Sequence, residues 1–273
     1  MEEKKKRIEE LTELLNAASR AYYSEDQEIM SNFEYDALYD ELVRLEAETG
    51  YSMPDSPTSN VGYEAADSLV KERHATPQLS LDKTKDPAAL AAFLGIQKGL
   101  LSWKLDGLTI VVTYQNGKMV KAVTRGNGEI GEVVTANAAR FVNLPKQLPV
   151  NIDLVVRGEA VIKYTDFERI NQEIEDADAK YKNPRNLCSG SVRQLDPEVT
   201  AARSVNLIVF SLESSSEPLS NSNEENFNWL KTLGFDVVPF KPVTSDTVEQ
   251  AVAEYAHEIE TFDIPSDGLV LLM

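Results

Sequence analysis

Apolar positions near the start of the chain recur every three or four residues. Ile8, Leu11, Leu15 and Ala18 stand among Glu and Lys, which predicts an amphipathic helix over about 3–23, ending near Tyr22-Tyr23. After a short linker at 24–30, the run Ser31-Asn32-Phe33-Glu34 has the form of a capping box, in which a serine and the glutamate three residues on satisfy each other's backbone N–H groups. Tyr35, Leu38, Leu42 and Leu45 carry one apolar face on to about Glu48. Residues 50–62 hold Pro54, Pro57 and three serines and cannot continue a helix, so a helical module over 1–65 and a second domain over 66–273 are expected.

From His74 the pattern changes to short β-branched runs between turns, with one helix predicted at 87–94 by its leading proline and following alanines. The runs 108–114 and 119–125 flank Asn116-Gly117, the dipeptide most typical of a tight β-hairpin. Residues 152–162 read as a strand with Arg157 and Glu159 on one face, and 166–180 as a helix with Phe167, Ile170 and Ile174 inward. A buried strand at 205–212, a polar loop at 211–223, a helix at 223–233 stopped by Gly234, a helix at 248–259 and a last strand at 267–273 follow. The fold class is therefore α+β with an antiparallel bias. The last apolar run breaks off at Leu271-Leu272-Met273 without a turn, as expected of a piece of something longer.

Composition narrows the function. Hydrophobic residues make up 42% of 273, enough for a real core, and the net charge of −18 argues against coating nucleic acid non-specifically, which requires cations to neutralise phosphates. A single cysteine, Cys188, excludes an internal disulfide, and with only His74 and His257 beside it a structural zinc site within this chain is not expected. The charged first ten residues and the lack of a long apolar run point to the cytoplasm, with no membrane role.

The candidate chemistry centres on Ser102-Trp103-Lys104-Leu105-Asp106-Gly107-Leu108-Thr109. If 102–113 is one extended run, Lys104 and Asp106 point the same way, a nucleophile beside an acid; a solvated ion pair fits the same pattern. Thr124-Arg125-Gly126-Asn127-Gly128 offers a guanidinium and two glycines to a phosphate, or else is a loop that needs positive φ. Residues 181–194 form the densest basic, hydroxyl-rich stretch of an otherwise acidic chain.

These segments, taken in order, resemble the motifs of bacterial NAD-dependent DNA ligases: Lys104-Leu105-Asp106-Gly107, Thr124-Arg125-Gly126 with Gly131-Glu132 and Thr135, Arg157-Gly158-Glu159, Asn183-Pro184-Arg185-Asn186, Arg193-Gln194-Leu195-Asp196-Pro197 and Asp267-Gly268. Glu34-Tyr35-Asp36-Ala37-Leu38-Tyr39, His74, Pro77 and Leu79-Ser80-Leu81-Asp82 extend the resemblance upstream, so that it covers essentially the whole chain. It implies a nucleotidyltransferase fold of packed antiparallel sheets with flanking helices, preceded by a helical module that grips the nicotinamide mononucleotide half of NAD. Zinc belongs only to family modules absent here, nicked double-stranded DNA is the partner of the longer enzyme, and a monomer is expected.

By the resemblance, Lys104 attacks the α-phosphorus of NAD and keeps AMP. A lysine in water is almost wholly protonated at neutral pH, so neighbouring cations, with Arg125, Arg185 and Mg²⁺ as candidates, and desolvation must favour its neutral form. Asp106 organises the ribose or orients the nucleophile, and Glu159 stands on the ribose or metal side. Ser80 and Leu81 belong to the adenosine-side loop, and Phe210 either stacks on adenine or is plain core. Tyr22, Tyr23, Asn32, Tyr35 and Asp36 hold the nicotinamide ribose and phosphate. Arg193 touches phosphate or DNA, or pairs with Asp196.

The chain also departs from the family pattern. Ser102 stands where glutamate is usual in adenine recognition, Asn32, Asn127 and Val133 where aspartate is usual, Leu272 in place of a phosphate-contacting lysine, and Ile259 in place of an arginine. Weakened or rearranged NAD binding and slower adenylation are expected from these changes. The alternatives are an ATP-using relative and a divergent paralogue that binds NAD or nicked DNA without efficient adenylation.

Overall fold

The computed structural model describes residues 2–24, 29–53, 56–58, 69–75, 83–174 and 180–273. The chain divides into two compact units, Met1–Gln78 with Arg125–Glu132, and Leu79–Thr124 with Val133–Met273.

The first unit begins with helices α1 (Glu2–Ser24) and α2 (Asn32–Thr49). Ile8, Leu11, Leu15, Leu42 and Leu45 close their shared core, the face that the helical spacing predicts. The capping box at Ser31 forms as expected: Glu34 N–H donates to Ser31 Oγ at 3.2 Å and Ser31 N–H donates to the Glu34 carboxylate at 2.9 Å. The same unit holds a small antiparallel pair, β1 (Lys71–Arg73) with β5 (Ile130–Glu132).

The second unit is built on two antiparallel sheets. One has the order β8-β2-β9, from β2 (Gly99–Leu105), β8 (Phe240–Val243) and β9 (Ser266–Leu272). The other has the order β4-β3-β6-β7, from β3 (Leu108–Gln115), β4 (Lys118–Thr124), β6 (Leu154–Val161) and β7 (Asn206–Ser215). Helices α3 (Pro87–Leu94), α4 (Thr135–Ala138), α5 (Tyr164–Glu173), α6 (Pro184–Val192), α7 (Pro197–Ala201), α8 (Asn223–Thr232) and α9 (Val248–Glu258) flank them. The hairpin of β3 and β4 turns at Asn116-Gly117 with φ of 49° and 77°, the left-handed pair that a tight primed turn requires. No described helix is long and apolar enough to cross a membrane.

Three expectations need correction. Residues 102–113 are not one strand: β2 ends at Leu105 in one sheet, β3 starts at Leu108 in the other, and Asp106-Gly107 is the crossing between them. The crossing needs glycine, because a Cβ at Gly107 would lie 2.0 Å from the Ala160 carbonyl oxygen of β6. The helix expected at 166–180 is α5, two residues earlier at its start and ended at Glu173, with Ile174 extended and 175–179 outside the described residues. Its early start follows from a cap distant in sequence: the Asp263 carboxylate accepts Thr165 N–H at 3.0 Å and the Thr165 hydroxyl at 2.8 Å. The polar stretch at 211–215 is strand, because Ser211, Leu212, Ser214 and Ser215 find ladder partners on β6.

Candidate active site

The register of β2 against β9 decides which side chains share a face. Leu100 lies opposite Leu272, Ser102 opposite Val270 and Lys104 opposite Gly268, so Lys104, Ser102 and Leu272 stand on one side of the sheet. Trp103 points to the other side, where it stacks on Phe262 at 4.5 Å and meets Tyr255 of α9 edge-on at 4.6 Å. That packing anchors the strand from behind and leaves the Lys104 face for chemistry. Lys104 Nζ donates to both oxygens of Asp267, at 2.7 and 2.8 Å, and the two side chains remain 46% and 37% exposed. Ser102 is buried, with its hydroxyl 3.5 Å from the Val270 carbonyl.

Asp106 sits on the crossing. Its N–H donates to the Pro265 carbonyl at 2.8 Å, and its carboxylate receives Arg185 Nη1 at 2.5 Å. Arg185 comes from the first turn of α6, which Asn183 caps by accepting the Asn186 N–H at 2.8 Å. The Cys188 thiol of that helix donates to the Ala160 carbonyl at 3.2 Å. Lys104 and Asp106, two residues apart, thus hold different charged partners, unlike a simple solvated pair. Tyr164 at the start of α5 is raised in pKa by burial and by the nearby Asp106 charge.

Glu159 of β6 is buried and accepts Gly107 N–H at 3.0 Å and the Thr109 hydroxyl at 2.8 Å. It therefore braces the crossing that carries Asp106. Burial pushes its carboxyl up to about 7, against the lowering pull of the Arg185 cation and these hydrogen bonds.

Two β-bulges mark β7. Between the pairs Gly158–Val209 and Arg157–Ser211 the strand carries Phe210 as an extra residue, and between Val156–Leu212 and Val155–Ser214 it carries Glu213 as another. Phe210 is half-buried, with the Arg157 guanidinium 5.5 Å from its ring centre, and Arg157 Nη2 pairs with Glu213 at 3.0 Å.

The remaining predicted residues fall elsewhere. Arg193 closes α6, where its Nη1 donates to Ser189 Oγ at 2.6 Å, and the neighbouring Asp196 carboxylate caps α7 by accepting Glu198 N–H at 3.0 Å. Arg125 belongs to the first unit, where its carbonyl lies 3.0 Å from His74 Nε2. The loop after it is shaped by Gly126, at φ 57°, where a Cβ would meet the Ile130 carbonyl oxygen at 1.8 Å. Asn127 uses its side-chain oxygen to accept the N–H groups of Glu129 and Ile130 at 3.0 and 2.8 Å, bonds an aspartate could also accept, so this departure leaves the turn intact. The Tyr35 hydroxyl is 2.9 Å from Ser19 Oγ and its ring lies against Tyr39, so it ties α1 to α2. Tyr22, Tyr23, Asn32 and Asp36 lie within those helices, and Ser80 and Leu81 lie outside the described residues.

The sequence names Asp267 and Thr109 only as members of motifs, and Glu213 and Tyr164 belong to none of them. Each acts through a partner 50 or more residues away, which no local pattern reveals.

Residues 66–273 match the model of the NAD-dependent DNA ligase adenylation domain, and residues 1–62 match that of the DNA ligase-like, N-terminal NAD+-binding domain. A DNA ligase of Lachnoclostridium phytofermentans is 59% identical over 99% of this chain and 42% of its own length. A DNA ligase of Ruminiclostridium cellulolyticum is 56% identical over 99% of this chain and 41% of its own. A solved archaeal ATP-dependent RNA ligase aligns over 71% of this chain and 44% of its own at 14% identity, with a TM-score of 0.43, too loose a likeness to bear on the site. The chain spans about two fifths of the length of the curated relatives it matches. Its two matched segments, together covering nearly every residue, place it in the NAD-dependent DNA ligase family, as an adenylation domain preceded by that family's NAD-binding domain.

Proposed function

We propose that this chain performs the adenylation half-reaction, moving AMP from NAD to Lys104 and releasing nicotinamide mononucleotide. The observation that carries the reading is the tethered, half-exposed amine of Lys104 at a sheet crossing whose next acid, Asp106, is bound to a guanidinium. Lys104 Nζ attacks the α-phosphorus, a P–N bond forms, and the P–O bond to nicotinamide mononucleotide breaks. Asp267, hydrogen-bonded to that nitrogen, aims it and is placed to take its proton. Arg185 faces charge developing on the phosphate while it fixes Asp106, which orients the ribose or the nucleophile. Glu159 serves as the carboxylate on the ribose or metal side, and Phe210 as the surface on which adenine stacks.

Arg125 is a second phosphate-side cation, Arg193 a phosphate or DNA contact, and Ser102, Ser80 and Leu81 belong to the adenosine side. Tyr22, Tyr23, Asn32, Tyr35 and Asp36 bind the nicotinamide half, within a module that ends near residue 65. Mg²⁺ is expected to arrive on the nucleotide's phosphates. Bound there, the ion would neutralise phosphate charge. Leu272 stands on the Lys104 face and offers no cation, which supports adenylation slower than in relatives with lysine there. In a longer, cytoplasmic, monomeric enzyme the adenylated lysine would serve the sealing of nicked DNA.

Following AMP transferred to the protein from NAD and, separately, from ATP tests this reading. Transfer from NAD with release of nicotinamide mononucleotide is expected, and equal or faster transfer from ATP would overturn it.

A further inference from the structure

Arg157 has no part in the reaction proposed above, yet on the face of the four-stranded sheet that carries Glu159 it holds both an aromatic ring and a carboxylate. On β6 the two residues alternate around Gly158, so their side chains share a face. On β7 the ladder opposite them is interrupted twice, with Phe210 and Glu213 as the residues in excess. A bulge turns a side chain out of regular alternation, and here both displaced side chains meet the same guanidinium. Arg157 lies 5.5 Å from the centre of the Phe210 ring and pairs with Glu213 at 3.0 Å. The pair is fairly dry, with side chains 25% and 23% exposed, and Ser211 Oγ adds a hydrogen bond to Glu213 at 2.7 Å. Desolvation strengthens both the ion pair and the attraction of a cation to a ring face.

We propose that Arg157 is a positioning residue for nucleotide binding: held by Glu213, its guanidinium fixes the Phe210 ring from one side so that the purine of NAD stacks on the other. The inference rests on the reading of Phe210 as the adenine platform. Glu213 contributes by holding the Arg157 guanidinium at 3.0 Å, and a lysine ammonium would lack the flat, delocalised group that lies against the ring. The arrangement also accounts for two bulges three residues apart in one strand, since a regular ladder would send Phe210 and Ser211 to opposite faces.

The test is a double-mutant cycle on the full chain, read by single-turnover adenylation across NAD concentrations. Arg157→Met keeps the length of the side chain and removes its charge and fork. It is expected to raise the half-saturating NAD concentration about fivefold while the maximal rate stays within about twofold, as loss of a cation–ring contact predicts. Glu213→Gln should raise it in the same direction, and Arg157→Lys should recover only part of the loss. In a Phe210→Leu background, Arg157→Met should add less than about twofold. If Phe210→Leu alone leaves NAD half-saturation unchanged, the adenine platform is refuted and this proposal with it. If Phe210→Leu weakens NAD but Arg157→Met does not, or weakens it equally in both backgrounds, the platform stands and the role of Arg157 is overturned. Should Arg157→Met not fold, the Glu213→Gln cycle with Phe210→Leu decides the matter by the same criteria.

Discussion

At Lys104 and Asp267 the structure separates stability from function. Both side chains are well exposed, so their ion pair contributes less than about 1 kcal/mol to folding, whereas in the proposed reaction aiming the amine would be worth far more. Asp267→Asn is therefore expected to leave thermal unfolding nearly unchanged and to slow single-turnover adenylation about tenfold or more; an unchanged rate would remove Asp267 from the mechanism. Glu159 behaves oppositely, since its buried carboxyl is raised from 4.5 to about 7. Below pH 4.5 the folded and unfolded chains both hold the proton; between 4.5 and 7 the folded chain binds it more strongly, so stability falls as pH rises through that window. The loss amounts to at most about 3 kcal/mol and levels off above pH 7. Chemical denaturation across this range should show that slope, and Glu159→Gln should flatten it. An identical slope in the variant would assign the effect to other groups.

At the scale of elements, the crossing between the sheets and the face of β2 and β9 carry the predictions. Gly107→Ala would drive a Cβ into the Ala160 carbonyl, and a loss of about 2 kcal/mol or more is expected in denaturant unfolding; a variant as stable as the parent would show that the crossing can shift. Leu272→Lys would return a cation to the Lys104 face and is expected to raise the maximal adenylation rate, whereas no change would show that the leucine does not limit it. The helices of the first unit, the hairpin at Asn116-Gly117 and helix α3 were legible because their signals are local: an apolar spacing, a left-handed dipeptide, a leading proline followed by alanines. The start of α5, the bulges of β7 and the break after Leu105 were not. Asp263, the β6 partners and the Ala160 carbonyl decide them from far along the chain, and tertiary pairing overrode the polar texture of 211–215.

For the whole molecule, motif order supplied the family while side-chain pairing did not follow from it. Lys104 and Asp106 were legible as a motif, but their separate partners Asp267 and Arg185 lie 163 and 79 residues away in sequence. With a net charge of −18 the chain is poorly suited to hold a duplex by itself, so it should take up AMP and yet leave nicked DNA open in a gel assay; efficient sealing would contradict this. Whether Lys104 takes AMP from NAD can be read from the intact mass of the chain after incubation with NAD and Mg²⁺. A gain of one AMP that Lys104→Ala abolishes is expected; no gain in the parent chain, or the same gain in the variant, would refute the transfer to Lys104.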